Sequence, residues 1–191
     1  MGVLPAFSDA SDHPQNVPRP QWVISDTHFG HGNILDYCPW RQTWAASLAD
    51  HDAAIIAAWR ERIRPDDWVL HLGDFALGAK EYLTKVRQDL PGRIILVRGN
   101  HDRSHAAMRD AGFELVHSAV RIDDGTRHWI CRHNPAAFSV REAAHATRLL
   151  HGHCHGNGLA ETIHPVIRAK ALDCSLDALL SIGPVPWETV Q

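Results

Sequence analysis

Four short stretches of this chain concentrate carboxylate, imidazole and amide side chains: Asp26-Thr-His28, Gly73-Asp74, Gly99-Asn-His-Asp102 and Gly152-His-Cys-His155. A single His133, ahead of Asn134-Pro135, lies between the last two. Oxygen and imidazole donors of this kind suit borderline-hard ions such as Mn²⁺, Fe²⁺ or Zn²⁺, and no thiolate-rich set pulls the pattern toward a structural zinc. Two such ions about 3.5–4 Å apart, bridged by a carboxylate, clamp a phosphoryl group and lower the pKa of a water toward neutrality. Charge developing on the phosphoryl oxygens is then met by both ions. Taken singly, each residue has a plainer use: Asp26 as a helix cap, Asp74 as a turn residue, His133 as a strand-end side chain satisfied by backbone.

Such side chains need rigid elements beneath them. Trp22-Val-Ile-Ser25 runs into Asp26, Trp68-Val-Leu-His-Leu72 into Gly73-Asp74, and the β-branched run at 93–97 into Gly99, where the missing side chain permits a turn. Each reads as a strand delivering polar residues at its carboxyl end, the edge where open α/β sheets bind ligands. Between them, Trp44, Leu48, Ile55, Trp59 and Ile63 recur at helical spacing and predict a helix stopped by Pro65, with His51 and Asp52 on its solvent side. Residues 79–90 predict a second helix, ended by Pro91-Gly92, and 34–38 and 104–111 predict short ones. The alternation implies right-handed crossovers and a partly parallel sheet. After Phe113 come strand-like runs at 114–117, 119–122 and 127–131, the last two joined by an Asp-Gly turn that signals an antiparallel hairpin. Further strands are expected at 148–151 and 167–172, making this half more antiparallel. The expected fold is α/β: two mixed β-sheets packed as a sandwich and flanked by helices.

Length and an apolar fraction of 45% fit a domain over 21–191 with a substantial core, preceded by a disordered or loosely packed arm at 1–20 that carries four prolines and does not resemble a signal peptide. No apolar run approaches the roughly 18 residues of a membrane span. The net charge of −3 supplies no field for long duplex nucleic acid or anionic membrane. Cys38, Cys131, Cys154 and Cys174 lack C-x-x-C spacing, which suits reduced thiols in a cytoplasmic protein. Of the seven tryptophans, Trp22, Trp44, Trp59 and Trp68 fall on core-facing positions, while Trp40 and Trp187 remain unassigned. His71 and His151, inside apolar strands, read as buried, hydrogen-bonded core histidines.

In their order along the chain, D-x-H, G-D, G-N-H-D, a lone His and G-H-x-H resemble the calcineurin-like metallophosphoesterase superfamily, over residues 26–155 or about two thirds of the chain. The opening Ser25-Asp-Thr-His-Phe-Gly-His-Gly-Asn-Ile34 looks like the family's small bacterial and phage members. The resemblance implies an αββα architecture and a phosphoester hydrolase with two divalent ions, Mn²⁺ being the expected choice in vitro. Asp26, His28, Asp74 and His155 would hold the first ion. Asp74 would bridge, and Asn100, His133 and His153 would complete the second. A metal-bridging hydroxide would be the nucleophile and His101 the proton donor to the leaving group, with Asp102 orienting or charging its ring. His31, Asn33 and Arg98 are candidate substrate contacts, and Cys154 is left out of the site with its sulfur turned from the metals. Phe75-Ala-Leu-Gly78 after G-D, and Asp102 closing the third motif, depart from the family's protein phosphatases. The run Cys38-Pro-Trp-Arg-Gln-Thr43 also differs from the Arg-Pro-Phe-like run of the small members. The expectation is a phosphodiesterase or phosphomonoesterase for a phosphoester substrate, nucleotides among the candidates. Two alternatives stand beside it. One is a nuclease on short single strands or ends, with Arg41, Arg98 and Arg103 tracking the strand. The other is a non-catalytic metal-binding interaction protein of the same fold.

Overall fold

A computed structural model describes residues 13–191. The chain runs through β1 (Gln15–Asn16), β2 (Trp22–Ile24), α1 (Ile34–Tyr37), α2 (Leu48–Arg62), β3 (Trp68–His71), α3 (Lys80–Asp89), β4 (Arg93–Val97), α4 (His105–Asp110) and β5 (Leu115–His117). It continues through β6 (Ala119–Asp123), β7 (His128–Arg132), α5 (Val140–His145), β8 (Arg148–His151), α6 (Pro165–Arg168), β9 (Ala171–Asp173), α7 (Leu176–Leu179) and β10 (Val185–Pro186). Short 3-10 turns lie at Pro39–Thr43, Pro135–Ala137 and Trp187–Val190.

The strands form two five-stranded sheets, ordered β10-β2-β3-β4-β5 and β1-β6-β7-β8-β9. In the first, β2 to β5 are parallel and only β10 is antiparallel. Alternation along each strand sends successive side chains to opposite faces. Val23, Leu70, Ile95 and Val97 therefore point inward against Val120, Ile122, Trp129, Cys131 and Leu150 of the second sheet. Ile24, Val69, Ile94 and Leu96 point outward under Ile55, Trp59 and Ile63 of α2 and its end and Leu83 and Val86 of α3. The second sheet's outer residues Ile130 and Leu149 are covered by Phe138, Ala143, Ala146 and Ile167. The result is the expected sandwich of two mixed sheets flanked by helices.

Several local expectations are corrected. The Asp-Gly hairpin joins β6 and β7 as predicted, but β7-β8 and β8-β9 are parallel, because the short helices α5 and α6 serve as crossovers. The second half is thus less antiparallel than its hairpin suggests. Residues 167–172 are not one strand: Pro165 opens α6 behind His164, whose Nδ1 accepts from the Val166 amide at 3.2 Å, and pairing resumes only at Ala171. The long helix starts at Leu48, capped by Ser47, whose side chain accepts from the Asp50 amide at 3.2 Å. Trp44 precedes the helix and stacks on His51 at 5.3 Å. His51 and Asp52, expected in solvent, are buried. They carry hydrogen bonds inward: His51 Nδ1 pairs with Asp52 Oδ1 at 2.7 Å, and Asp52 Oδ2 accepts from the Gly30 amide and the Tyr82 hydroxyl. His71 and His151 are core histidines as expected, His71 bonded to Thr27 Oγ1 and the Gly73 amide, His151 to the Gly152 carbonyl. Trp187 is fully buried against Trp129 at 5.2 Å, and Trp40 sits half-buried against Trp44 at 5.7 Å. Of the expected arm, residues 1–12 lie outside the described residues, whereas Gln15 and Asn16 pair in parallel with Val120 and Arg121. Among the described residues no helix is long and apolar enough to cross a membrane.

Candidate metal centre

The loops that follow β2, β3, β4, β7 and β8 meet at one edge of the sandwich. The first two run side by side, the amides of Asp26, His28 and Phe29 donating to the carbonyls of Gly73, Asp74 and Phe75 at 2.9–3.0 Å. Asp26, His28, Asp74, His153 and His155 all hold positive φ, at 59°, 50°, 54°, 71° and 49°. Each such residue costs about 1 kcal/mol relative to ordinary backbone, and strain of this kind concentrates where side chains must be aimed. Three motif glycines leave room for the donors. A Cβ on Gly99 would lie 2.1 Å from Asp74 Oδ1, on Gly152 2.3 Å from Asp26 Oδ2, and on Gly73 2.6 Å from His133 Nδ1.

The convergence creates two pockets, Asp26 with His28 and His155, and Asp74 with His133 and His153, each with its ligand atoms within 4.8 Å of one another. In the second, His133 Nδ1 lies 2.8 Å from the Leu72 carbonyl, which fixes the proton there and turns the Nε2 lone pair inward. Nε2 then faces Asn100 Oδ1 at 3.0 Å and Asp74 Oδ2 at 3.2 Å. This nitrogen and the two oxygens converge on one spot, where either a proton on Nε2 or a cation joins them. In the first pocket His155 Nδ1 is held by Asp177 Oδ2 at 2.7 Å, and Nε2 faces Asp26 Oδ1 at 3.5 Å. His28 Nε2 is 3.8 Å from Asp26 Oδ1 and 3.7 Å from Asp74 Oδ2, too far for a hydrogen bond, and both its buried nitrogens lack a partner. Asp74 Oδ2 thus faces both pockets. Asp26 and Asp74 are 0% and 2% exposed. Among the described residues, the side chains in salt-bridge range of their carboxylates are the imidazoles of His28, His101, His133 and His155. Buried carboxylates set against imidazoles, with orphaned nitrogens between them, fit divalent ions.

Protons do part of that work in the metal-free protein. Burial opposes the charge of Asp26, but the imidazoles of His28, His133 and His155 outweigh it and hold the carboxyl far below its usual range. Burial likewise opposes the charged form of His133, yet Asp74 and Asp26 lift it to about 9. His155 is raised to about 10, with burial overcome by Asp177, Cys38 and Asp26. Burial lowers His28 and His153.

Support beneath the ligands comes partly from residues that motif reading missed. Asp177, in α7, holds His155 and is itself gripped by fully buried Arg41, Nε to Oδ1 at 3.0 Å and Nη2 to Oδ2 at 2.7 Å. Arg41 also donates to the Asp26 carbonyl at 2.7 Å and meets His51 Nε2 at 3.1 Å. Under the nuclease alternative it would follow a strand; it is instead an internal brace. The only sequence signal for Asp177 was an acidic residue two positions past Ser175, a potential cap, too common to single out. Asp102 is also corrected. Its oxygens accept from the amides of Gly99, Asp74 and Phe75 at 2.7, 2.9 and 2.9 Å, so it ties the β3 and β4 turns together and does not orient the His101 ring.

The remaining candidates lie at the rim. The His101 side chain is 42% exposed, its Nε2 3.9 Å from Asp74 Oδ2 and its ring centroid 5.4 Å from that of His28. His31 packs at a tilt between His28 at 5.3 Å and exposed Tyr37 at 5.8 Å. Asn33 is exposed at the start of α1 and makes no capping bond with its side chain. Arg98 reaches the Gly99 and Asp102 carbonyls at 3.5 and 3.3 Å, steadying the turn. Arg103 donates to the Gly78 carbonyl at 2.7 Å. The Cys154 sulfur groups with His151 and Asp173, away from both pockets.

A two-sheet α/β sandwich with paired carboxylate-imidazole pockets at its loop edge defines a metal-dependent hydrolase. The chain belongs to the calcineurin-like phosphoesterase superfamily, whose domain profile matches residues 22–169. It is 29% identical over 178 residues to an uncharacterized protein of Methanocaldococcus jannaschii, covering 90% of this chain and 89% of that protein. The Gene 66 protein of Mycobacterium phage D29 is 27% identical over 194 residues, with 86% and 91% covered. The crystal structure of a protein of unknown function from Aquifex aeolicus shares the fold, with TM-score 0.67 and 23% identity over 92% of this chain and 98% of that one. This chain is accordingly a metal-dependent phosphoester hydrolase of the small bacterial and phage type.

Proposed function

We propose that the protein hydrolyses a phosphodiester or phosphomonoester with two divalent ions, the first held by Asp26, His28, Asp74 and His155 and the second by Asp74, Asn100, His133 and His153. The observation that carries this reading is the convergence of His133 Nε2, Asn100 Oδ1 and Asp74 Oδ2 on one point, beside a His28 whose buried nitrogens have no partner. When bound, such ions neutralise the two buried carboxylates, withdraw charge from the phosphoryl oxygens and make a water nucleophilic at neutral pH. Mn²⁺ is the ion of choice in vitro.

The side chains divide the remaining labour. Asp74 faces both pockets and keeps them in register, while Asp177 and the Leu72 carbonyl fix the tautomers of His155 and His133. His101 stands at the open side, with Asp74 Oδ1 accepting from its backbone amide at 2.9 Å, and its partly exposed ring delivers the proton to the departing oxygen. Asp102 acts on this step through the turn, as a positioning residue. His31 lines the rim where the ester group enters. The free thiols Cys38, Cys131, Cys154 and Cys174 support a reducing, cytoplasmic setting.

The test is turnover of bis-p-nitrophenyl phosphate, p-nitrophenyl phosphate and nucleotides by Mn²⁺-loaded protein. His101→Ala is expected to keep both ions and lose roughly 10²–10⁴-fold in kcat on substrates with poor leaving groups. Loss of metal in that variant would overturn the assignment of His101. Absence of turnover by the folded wild type with every divalent ion would overturn the reading as a whole.

A further inference from the structure

We infer that His151, Cys154 and Asp173 form a separate site for a divalent ion of the zinc type, on the underside of the loop that carries His153 and His155. The inference is independent of the hydrolytic reading, since none of the three belongs to either pocket.

Parallel pairing of β8 with β9 sets His151 directly beside Asp173 at the carboxyl ends of both strands. The loop then folds tightly back, the Cys154 amide donating to the Gly152 carbonyl at 2.8 Å, and brings the sulfur over the pair. Ligand atoms of His151, Cys154 and Asp173 lie within 4.8 Å of one another. His151 Nδ1 sits 2.7 Å from the Gly152 carbonyl, which places the proton on Nδ1 and leaves Nε2 with its lone pair; metal-binding imidazoles are oriented in this way. Asp173 is held in place by two amides, Oδ1 accepting from Ser175 and Oδ2 from Gly156, both at 2.9 Å. Cys154 carries no disulfide and is half-buried, so its thiol is shielded yet within reach of an entering ion.

One nitrogen, one sulfur and one carboxylate oxygen form a donor set for zinc, with water in the fourth position. The thiol proton leaves to solvent on binding, and thiolate plus carboxylate balance the charge of the ion. With His151 and Asp173 fixed on neighbouring strands, an ion gripping Cys154 fastens the loop midway between His153 and His155. The ion would thereby steady the backbone of residues 153–155, whatever those histidines bind.

Cobalt is the probe, because thiolate ligation to Co²⁺ adds a near-ultraviolet charge-transfer band that histidine and carboxylate ligation do not. Wild-type protein titrated with Co²⁺ is expected to show this band, Cys154→Ser to lose it, and Cys38→Ser to keep it. Zn²⁺ is expected to slow alkylation of Cys154 by roughly tenfold or more in the wild type, and still to do so in Asp74→Asn, where the catalytic pockets are impaired. Failure of the hydrolytic reading would leave these signals unchanged. Absence of the band in wild-type protein, its survival in Cys154→Ser, or its loss in Cys38→Ser would overturn the site.

Discussion

Replacing Gly152 by alanine separates folding from metal binding in a way the geometry lets us calculate. The added Cβ would sit 2.1 Å from Ser25 Oγ and 2.3 Å from Asp26 Oδ2, and Gly152 has no positive φ for alanine to strain. Against an ordinary contact of roughly 3.5 Å, the carboxylate oxygen must retreat by about 1 Å. The two closest atoms are side-chain ends, with Ser25 Cβ behind them at 3.0 Å and no backbone atom closer, so the fold can yield at a cost of about 2 kcal/mol, within the usual range for overpacking. The pocket cannot yield as far, because metal-ligand distances tolerate about 0.2 Å. The expected result is a roughly 10–100-fold loss in affinity for Mn²⁺ with a urea midpoint only slightly lowered. Gly99→Ala should behave differently, since its Cβ meets the Asp74 backbone nitrogen at 2.5 Å as well as the carboxylate. Backbone cannot retreat as cheaply, and a loss of about 3 kcal/mol in stability should accompany the loss of metal. Gly32→Ala, with nothing within 4 Å, is the control and should change neither. Calorimetric Mn²⁺ titration alongside urea unfolding reads both quantities. Wild-type affinity in folded Gly152→Ala would refute the claim that Asp26 is a ligand aimed by the room this glycine leaves.

Three other perturbations probe different parts of the same construction. Asp177→Asn removes the carboxylate behind His155 and leaves buried Arg41 without its counter-charge, so we expect about 10–100-fold weaker metal binding and about 3 kcal/mol lower stability; unchanged Mn²⁺ affinity would show that His155 is not a ligand. In the metal-free protein His133 and His155 titrate near 9 and 10, above the imidazole value of 6.5, so their contribution to stability is full below about 6.5 and fades as pH rises through 9 to 10. Each entering ion must displace the proton of the one raised histidine in its own pocket, so its affinity should climb with pH by up to about tenfold per unit, until near 9 for the His133 pocket and near 10 for the His155 pocket, as titrations at several pH values would reveal. Trp187→Ala empties a fully buried site against Trp129 and should cost about 3–5 kcal/mol by urea unfolding, with metal affinity preserved.

How far the sequence discloses this molecule depends on the range of each interaction. The strands ending at Ser25, Leu72 and Val97 were legible because a buried parallel strand needs an unbroken apolar run, and the polar residues after it then stand out. The candidate donors Asp26, Asp74, Asn100, His133 and His153 were singled out from short motifs, and Gly73, Gly99 and Gly152 prove to leave the space that His133, Asp74 and Asp26 occupy. Asp52 was not legible. Helical spacing assigns it to the polar face, and only the approach of Gly30 and Tyr82 from other segments makes that face internal. Arg41 and Asp177 are 136 residues apart, and no local pattern ties a charged residue to so distant a partner. The parallel order of β7, β8 and β9 was hidden because α5 and α6 are too short to show a helical period.

Each candidate pocket draws donors from both layers of the sandwich: Asp26 and His28 follow β2 in one sheet while His155 follows β8 in the other, and Asp74 and Asn100 are answered by His133 and His153. Ions held as proposed would therefore be rivets through two plates as well as reagents. A substitution in the apolar layer directly beneath the pockets, at Leu70, Val97 or Leu150, by letting the plates slip a fraction of an ångström, should weaken ion binding well before the fold melts, whereas one at distant Trp187 should not, and removal of bound ions should loosen amide exchange in both plates together.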